Sequence, residues 1–319
     1  MADWLVEQGI GEERAILVED GEALAAHVAW PGELAVGQIE DAILVSRAKG
    51  AKRGRARFAS GEEALVDRLP KDASEGSAIR LEVTRSRIGE GSRVKLAHAR
   101  PTQAPPCPAP TLAEQLGARV VRRFPRGCWE EICTEAQSGI CEFPRGSLHF
   151  SPTPAMTLVD VDGTLPPRDL ALEAIDPLAR AIARFGLGGV IGVDFPTLQA
   201  KDERKAVDVH LAGALADFDH ERTAMNGFGF VQIVARLVRP SILHRIQHDP
   251  AGSAARLLLR QAEEVTDPGA ILLTAHPAVI ARLTPEWLAE LARRTGRELR
   301  MAPDPALAPQ SGFAQAVPL

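Results

Sequence analysis

The chain has 319 residues, is 45% hydrophobic, contains no tyrosine and carries a formal net charge of -5. That length supports two domains or one large one with a sizeable core. The mild acidity argues against nucleic-acid binding by bulk charge, and no apolar run approaches the ~18 residues of a membrane span. The opening stretch, "MADWLVEQGIGEERA", places acids where a secretory signal needs an apolar core, so a cytoplasmic protein with no membrane partner is expected. Four cysteines, Cys107, Cys128, Cys133 and Cys141, form no C-x-x-C pair, and their spacing predicts reduced thiols and no structural zinc.

In chain order, residues 1–100 hold short strand-like runs: "RAILVEDGEALAAHVAW", "GQIEDAILVSRA", "GRARFASGEEALVD", "AIRLEVTRSRI" and "SRVKLAHA". The Asp20-Gly21 pair is a strong hairpin signal. Five short strands with little helical periodicity predict a small β-barrel of the oligonucleotide-binding (OB) class over residues 1–100. Residues 101–114 read as a linker, because five prolines within ten residues exclude a helix or central strand. The remainder, 115–319, alternates strands and helices and predicts an α/β domain, so the chain as a whole reads as α+β. Within it, Leu170, Ile175, Leu178, Ile182 and Phe185 form a helical stripe that starts or breaks near Asp176-Pro177. A second helix is predicted in "ERKAVDVHLAGALADFDHE", with Val207, Leu211, Leu215 and Phe218 inward.

Two strands in this region, "TLVDVDG" and "VIGVDF", end in the acids Asp160 and Asp194, and a helix connects them. Strands joined by a crossover helix run parallel, which predicts the two carboxylates side by side in a crevice at the strand ends. Like charges held together call for a proton or a cation. Hard oxygen donors suit Mg²⁺, with Mn²⁺ an alternative, and such an ion activates water and stabilises charge on phosphate. The bland alternative makes each Asp an ordinary strand-end residue. As a bare string, "DVDGT" also matches the nucleophile motif of haloacid-dehalogenase-type phosphatases. That reading lacks the later G-D or D-D acidic pair after a strand, and ranks below the others.

A longer stretch resembles the ribonuclease E/G family. "FPRGSLHFSPTPAMTLVDVDG", "LALEAIDPLARAIARFGLGGVIGVDF", "KAVDVHLAGALADFDHE" and "FGFVQIVARLVRPS" follow one another in that family's order over residues 143–242. "AILVEDGEALAAHVAW" followed by "VGQIEDAILVSR" resembles the opening strands of its S1 RNA-binding module. The resemblance implies a Mg²⁺-dependent ribonuclease that cuts single-stranded RNA to 5′-phosphate and 3′-hydroxyl ends. It places Asp160 and Asp194 at the metal-binding positions, with Asp162 where the family has Asn. The chain departs from the family in having no room for its central 5′-monophosphate-sensing region and no cysteine pair for its intersubunit zinc link. A monomer or a homodimer without a zinc link is therefore expected. A relative that binds RNA without cutting it is the alternative, motivated by the Asn-to-Asp change.

For RNA contact, "RAKGAKRGRAR" supplies Arg47, Lys49, Lys52, Arg53, Arg55 and Arg57, with Phe58 the nearby aromatic. Such a run is often only a solvated loop. On a barrel of this class it reads as backbone neutralisation. Arg85 and Arg93 are expected to extend the same face, and Arg236 and Arg239 to hold phosphates near the metal.

Overall fold

In the computed structural model, which describes residues 2–91 and 93–319, the chain opens with antiparallel strands β1 (Asp3–Gln8), β2 (Glu13–Glu19) and β3 (Glu22–Ala29). Asp20 and Gly21 turn β2 into β3 with φ of 52° and 86°. A two-residue hairpin turn with positive φ at both positions favours this dipeptide, and the sequence expectation is met.

Next come β4 (Ile39–Arg47), β5 (Gly54–Arg57), β6 (Glu63–Val66) and β7 (Ala78–Arg85), a small ribbon of β8 (Ile88–Glu90) and β9 (Arg93–Lys95), and β10 (Ala97–Pro101). Five of these close a barrel in the order β10-β6-β5-β4-β7, with β10 parallel to β6 and antiparallel to β7. Leu44, Ala56, Phe58, Val66, Leu81 and Val83 fill it. A closed five-stranded barrel of this order is compatible with the OB class.

The barrel begins later than the sequence indicates. It uses residues 39–101, and the first three strands belong to a different sheet. The Pro-rich segment is the reason. It runs extended along the barrel, where Cys107 exchanges both backbone hydrogen bonds with Ile39. A capping box at Thr111 and Glu114 then starts α1 (Leu112–Leu116), which a left-handed Gly117 stops. The chain then returns to the first sheet as β11 (Arg119–Val121), parallel to β1, giving the order β11-β1-β2-β3. β1 is therefore an interior strand, and it buries Leu5, Val6 and Glu7 in succession rather than in alternation. The barrel is an insertion between β3 and β11.

After α2 (Cys128–Ser138) comes the largest sheet: β12 (Ile140–Phe143), β13 (Gly146–Pro152), β14 (Thr157–Gly163), β15 (Gly189–Asp194), β16 (His220–Arg222) and β17 (Phe230–Ala235). Its order is β12-β13-β14-β15-β17-β16, and β14 with β15 is its parallel pair. Between β14 and β15 lie α3 (Pro167–Glu173) and α4 (Ile175–Phe185), and α5 (Lys201–Ala214) follows β15. The helical stripe breaks at Ala174, so Pro177 falls in the first turn of α4, where its missing N–H costs nothing. Ile175, Leu178, Ile182 and Phe185 are all buried. Val207 and Leu211 of α5 are buried as expected, while Leu215 and Phe218 reach the core from beyond its end.

The chain ends with α6 (Ile242–His248), α7 (Pro250–Glu263), β18 (Ala270–Ala275), α8 (Pro277–Ile280), α9 (Pro285–Thr295), β19 (Leu299–Pro303) and β20 (Phe313–Val317). These strands form a separate sheet, β19-β18-β20. One apolar core joins Ile16, Ala26 and Val28 of the first sheet to Trp129, Phe185 and Ile242. A second joins Ile10 to Leu258 and Leu259 of α7 and Leu273 of β18. The architecture is mixed α/β with an inserted barrel. No helix among the described residues is long and apolar enough to cross a membrane.

Candidate functional site

β14 alternates strictly: Thr157, Val159 and Val161 are buried, while Leu158, Asp160 and Asp162 are exposed. The inward set joins Leu148, Phe150, Ile191, Val193, Val231 and Ile233 in the core beneath the helices. The outward set lies on the opposite, open face of the sheet. Asp160 is in register with Asp194 on the parallel neighbour β15, and both are exposed. Adjacent strands lie about 4.8 Å apart, so the two residues are immediate neighbours on that face. The expected juxtaposition is present, but its setting differs. Asp194 ends β15, whereas β14 continues three residues beyond Asp160 to Gly163. The pair therefore stands on the sheet face and not in a crevice beyond the strand ends.

The same row holds two residues that the sequence reading missed. His149 on β13 is in register with Asp160, and its Nε2 lies 2.9 Å from Ser147 Oγ. Phe230 on β17 is in register with Asp194. A Cβ on Gly192 would sit 2.6 Å from the Phe230 ring and 2.7 Å from Met156 Sδ, so glycine lets that ring lie across β15. The signal for His149 was its place in "SLHF", an alternating strand antiparallel to "TLVDVDG".

Asp162 lies one step along the same face, in register with Ser147. Its Oδ1 accepts the Gly163 N–H at 2.8 Å. Gly163 itself answers to packing: a Cβ there would come within 2.6 Å of both the Arg145 carbonyl and Leu170 Cδ1. Among the described residues no group of three or more His, Cys, Asp or Glu side chains forms a metal cage. Two neighbouring open carboxylates nonetheless fit Mg²⁺, which takes one or two protein carboxylates and keeps several waters.

The direction of β17 corrects the placement of Arg236 and Arg239. β17 is antiparallel to β15, with Phe230 opposite Asp194 and Ala235 opposite Gly189. Both arginines therefore leave the sheet at the end away from the acids. Arg239 donates to Gln115 Oε1 and packs beside His27, far from any phosphate near Asp160. What adjoins Asp194 is instead the loop before β17. Its Asn226 Oδ1 accepts the N–H groups of Phe228 and Phe230 at 2.8 and 3.1 Å. The Phe195 N–H bonds the Gly229 carbonyl, and Thr197 Oγ1 donates to the Phe228 carbonyl. This hydrogen-bonded loop displays the Phe228 ring, which is 80% exposed.

On the barrel, β5 alternates in the same way, with Arg55 and Arg57 outward and Ala56 inward. Phe58 is 3% exposed and belongs to the barrel core, which removes it from the candidate RNA contacts. Arg47 is also taken up: its guanidinium bonds the carbonyls of Ala51, Pro70 and Ala73 and fixes the surrounding loops. Arg53 pairs with Asp67 at 2.6 Å, and Glu63 sits 3.5 Å from Arg55 and 3.0 Å from Arg57. Lys49 and Lys52 are exposed and, among the described residues, have no ion-pair partner. Arg85 does not extend the β5 face, since it turns to the Leu96 carbonyl at 2.7 Å. Arg93 stands opposite Glu90 on the β8–β9 ribbon, outside the barrel.

The fold and this face define a mixed α/β protein with an OB-compatible barrel and two neighbouring, exposed aspartates on an open sheet face. No family model matches the chain. Among curated proteins it is similar to ribonuclease G of Escherichia coli (strain K12), at 28% identity over 191 residues, covering 50% of this chain and 38% of the relative. Ribonuclease G of Salmonella typhimurium (strain SL1344) and of Shigella flexneri give the same figures. The matched part is thus well under half the length of these relatives. The similarity supports a distant relationship to the ribonuclease E/G type.

Proposed function

We propose that this chain cleaves single-stranded RNA at the open face carrying Asp160 and Asp194. The observation that carries the reading is their register pairing on neighbouring parallel strands, both exposed, in a chain distantly similar to ribonuclease G. Asp160 and Asp194 would hold a Mg²⁺ ion, with Mn²⁺ able to replace it. When bound, the ion supplies an activated water and neutralises charge on the attacked phosphate. The products would be a 5′-phosphate and a 3′-hydroxyl.

The chain's own residues bind and orient. Phe228 offers a base-stacking surface beside Asp194, a sequence-tolerant interaction that suits single strands. His149, in register with Asp160, lies where it can hydrogen-bond a phosphate oxygen or a water. Asp162 keeps one oxygen on its own backbone and adds negative charge next to the ion. The inserted barrel would carry the strand's backbone along β5, through Arg55, Arg57 and the nearby Lys49, Lys52 and Arg53.

A labelled single-stranded oligoribonucleotide, incubated with Mg²⁺ and with Asp194→Asn beside wild type, tests this directly. Wild type should cut and the variant should not, while EDTA stops cleavage and added Mg²⁺ restores it. Equal cutting by both proteins would overturn the assignment. Binding without turnover is the second reading, and one observation favours it: an aspartate at 162 places a third negative charge on this face. It predicts salt-sensitive RNA binding and intact substrate at every Mg²⁺ and Mn²⁺ concentration.

A further inference from the structure

Between the β8–β9 ribbon and helices α6 and α7 lies a cleft of about 310 Å³. Four arginines line it, Arg87, Arg245, Arg256 and Arg282, against the two carboxylates Glu33 and Asp249. Both carboxylates are already occupied. Glu33 accepts from Arg245 at 2.8 Å, and Asp249 accepts from Arg282 at 2.7 Å and from the Gly252 N–H at 3.1 Å. Arg87 and Arg256 have no ion-pair partner among the described residues, so the lining holds two more arginines than carboxylates; outside it, Glu62 acts on Arg87 and Glu12 on Arg256, and Glu12 is already paired with Arg14.

The fold holds the Arg256 charge in place by contacts that do not neutralise it. Arg256 donates to the carbonyls of Gly11 and Gly252 and lies 3.8 Å from the Trp30 ring centroid and 4.7 Å from that of Trp287. Arg245 lies 4.5 Å from the same Trp30 centroid. It is only 8% exposed, and its buried Nε finds no hydrogen-bond partner among the described residues. Burial pulls both guanidiniums below their usual range, outweighing the raising effect of Glu33 and Glu12, and Arg87 adds a smaller repulsion on Arg245. Desolvated like charges with an unmade hydrogen bond are costly unless an anion joins them. Guanidinium forks approaching from several elements match an oxyanion with several oxygens, and phosphate is the usual one.

We propose that this cleft binds a phosphate group, gripped by Arg87 with Arg256 and Arg245 behind it. The same chemistry is offered by free phosphate and by the backbone of a nucleic acid. The site does not depend on the paired aspartates, since α6 follows the end of β17 away from Asp194.

Titration calorimetry of the full chain with inorganic phosphate, at an ionic strength held constant with chloride, tests the proposal. One phosphate should bind per chain and should raise the melting temperature. Among the described residues Arg87 makes no hydrogen bond, so Arg87→Ala should keep its melting temperature in chloride yet bind phosphate about tenfold more weakly, as loss of one charge-assisted hydrogen bond implies. Arg87→Glu should abolish binding. No saturable binding by wild type, or unchanged affinity in Arg87→Ala, overturns the site. An oligoribonucleotide with hydroxyls at both ends then separates the sources. If it displaces phosphate, the backbone is the ligand, and if it does not, the free ion is.

Discussion

Asp162 Oδ1 bonds the next backbone N–H, an interaction that an asparagine oxygen would preserve. Asp162→Asn therefore removes one negative charge from the open face without disturbing β14. The expected result is an unchanged melting temperature, tighter RNA binding and faster cleavage, read in parallel binding and turnover assays. Phe228 offers a complementary test at the same scale. An 80% exposed ring contributes little to the core, so Phe228→Ala should leave stability within about 0.5 kcal/mol. A lost base stack is worth about 1–3 kcal/mol, so RNA affinity should fall roughly 5- to 150-fold, with Phe228→Trp retaining it. Affinity equal to wild type in Phe228→Ala would remove the ring from the binding site.

The basic strand β5 is restrained by its neighbour. Glu63 on β6 faces both Arg55 and Arg57, and exposed ion pairs of this kind add only about 0–1 kcal/mol to stability. Glu63→Gln should therefore leave the barrel folded while freeing two cations for phosphate. RNA binding should strengthen at low salt, and the dependence of log K on log salt should steepen by about one to two phosphate contacts. An unchanged slope would show that RNA does not cross β5. The alternation of this strand and of β14 was legible in sequence, because a period of two needs no tertiary information. The direction of β17 was not, since an apolar strand reads the same way up or down. That single ambiguity put Arg236 and Arg239 at the wrong end of the sheet and hid the Asn226–Gly229 loop that stands beside Asp194.

At the scale of the molecule, the first sheet is bound to the rest through buried charge. Glu7 of β1 accepts from Arg14 at 2.7 Å, from Arg260 of α7 at 3.3 Å and from the Phe124 N–H at 3.0 Å. Glu7→Ala would leave two nearly inaccessible guanidiniums without that partner, and should cost about 3–5 kcal/mol in denaturant unfolding. His27 reports on the same seam. It stacks on Trp4 and lies against Gly186, and burial, reinforced by the nearby Arg239 cation, pushes it down to about 4. The unfolded chain takes up the proton first as pH falls below about 6.5, so stability is lost between that pH and about 4. The loss from this one group is about 3 kcal/mol at most, and melting curves of His27→Gln should show a shallower acid decline than wild type.

The sequence by itself determined the local features: the Asp20-Gly21 hairpin, the stop at the prolines, the helical stripe of α4 and the adjacency of Asp160 and Asp194. Each follows from turn chemistry, periodicity or the parallel rule for a crossover helix, all of which act over short stretches of chain. Only the tertiary structure decided where the barrel begins, because β1 acquires its second neighbour from β11, more than a hundred residues away. Only packing decided that Phe58 is core and that Arg47 is a fixed strut, since a side chain's partners depend on what folds against it. The open face, with His149 and Phe230 completing a row across four strands, exists only once those strands are registered against each other.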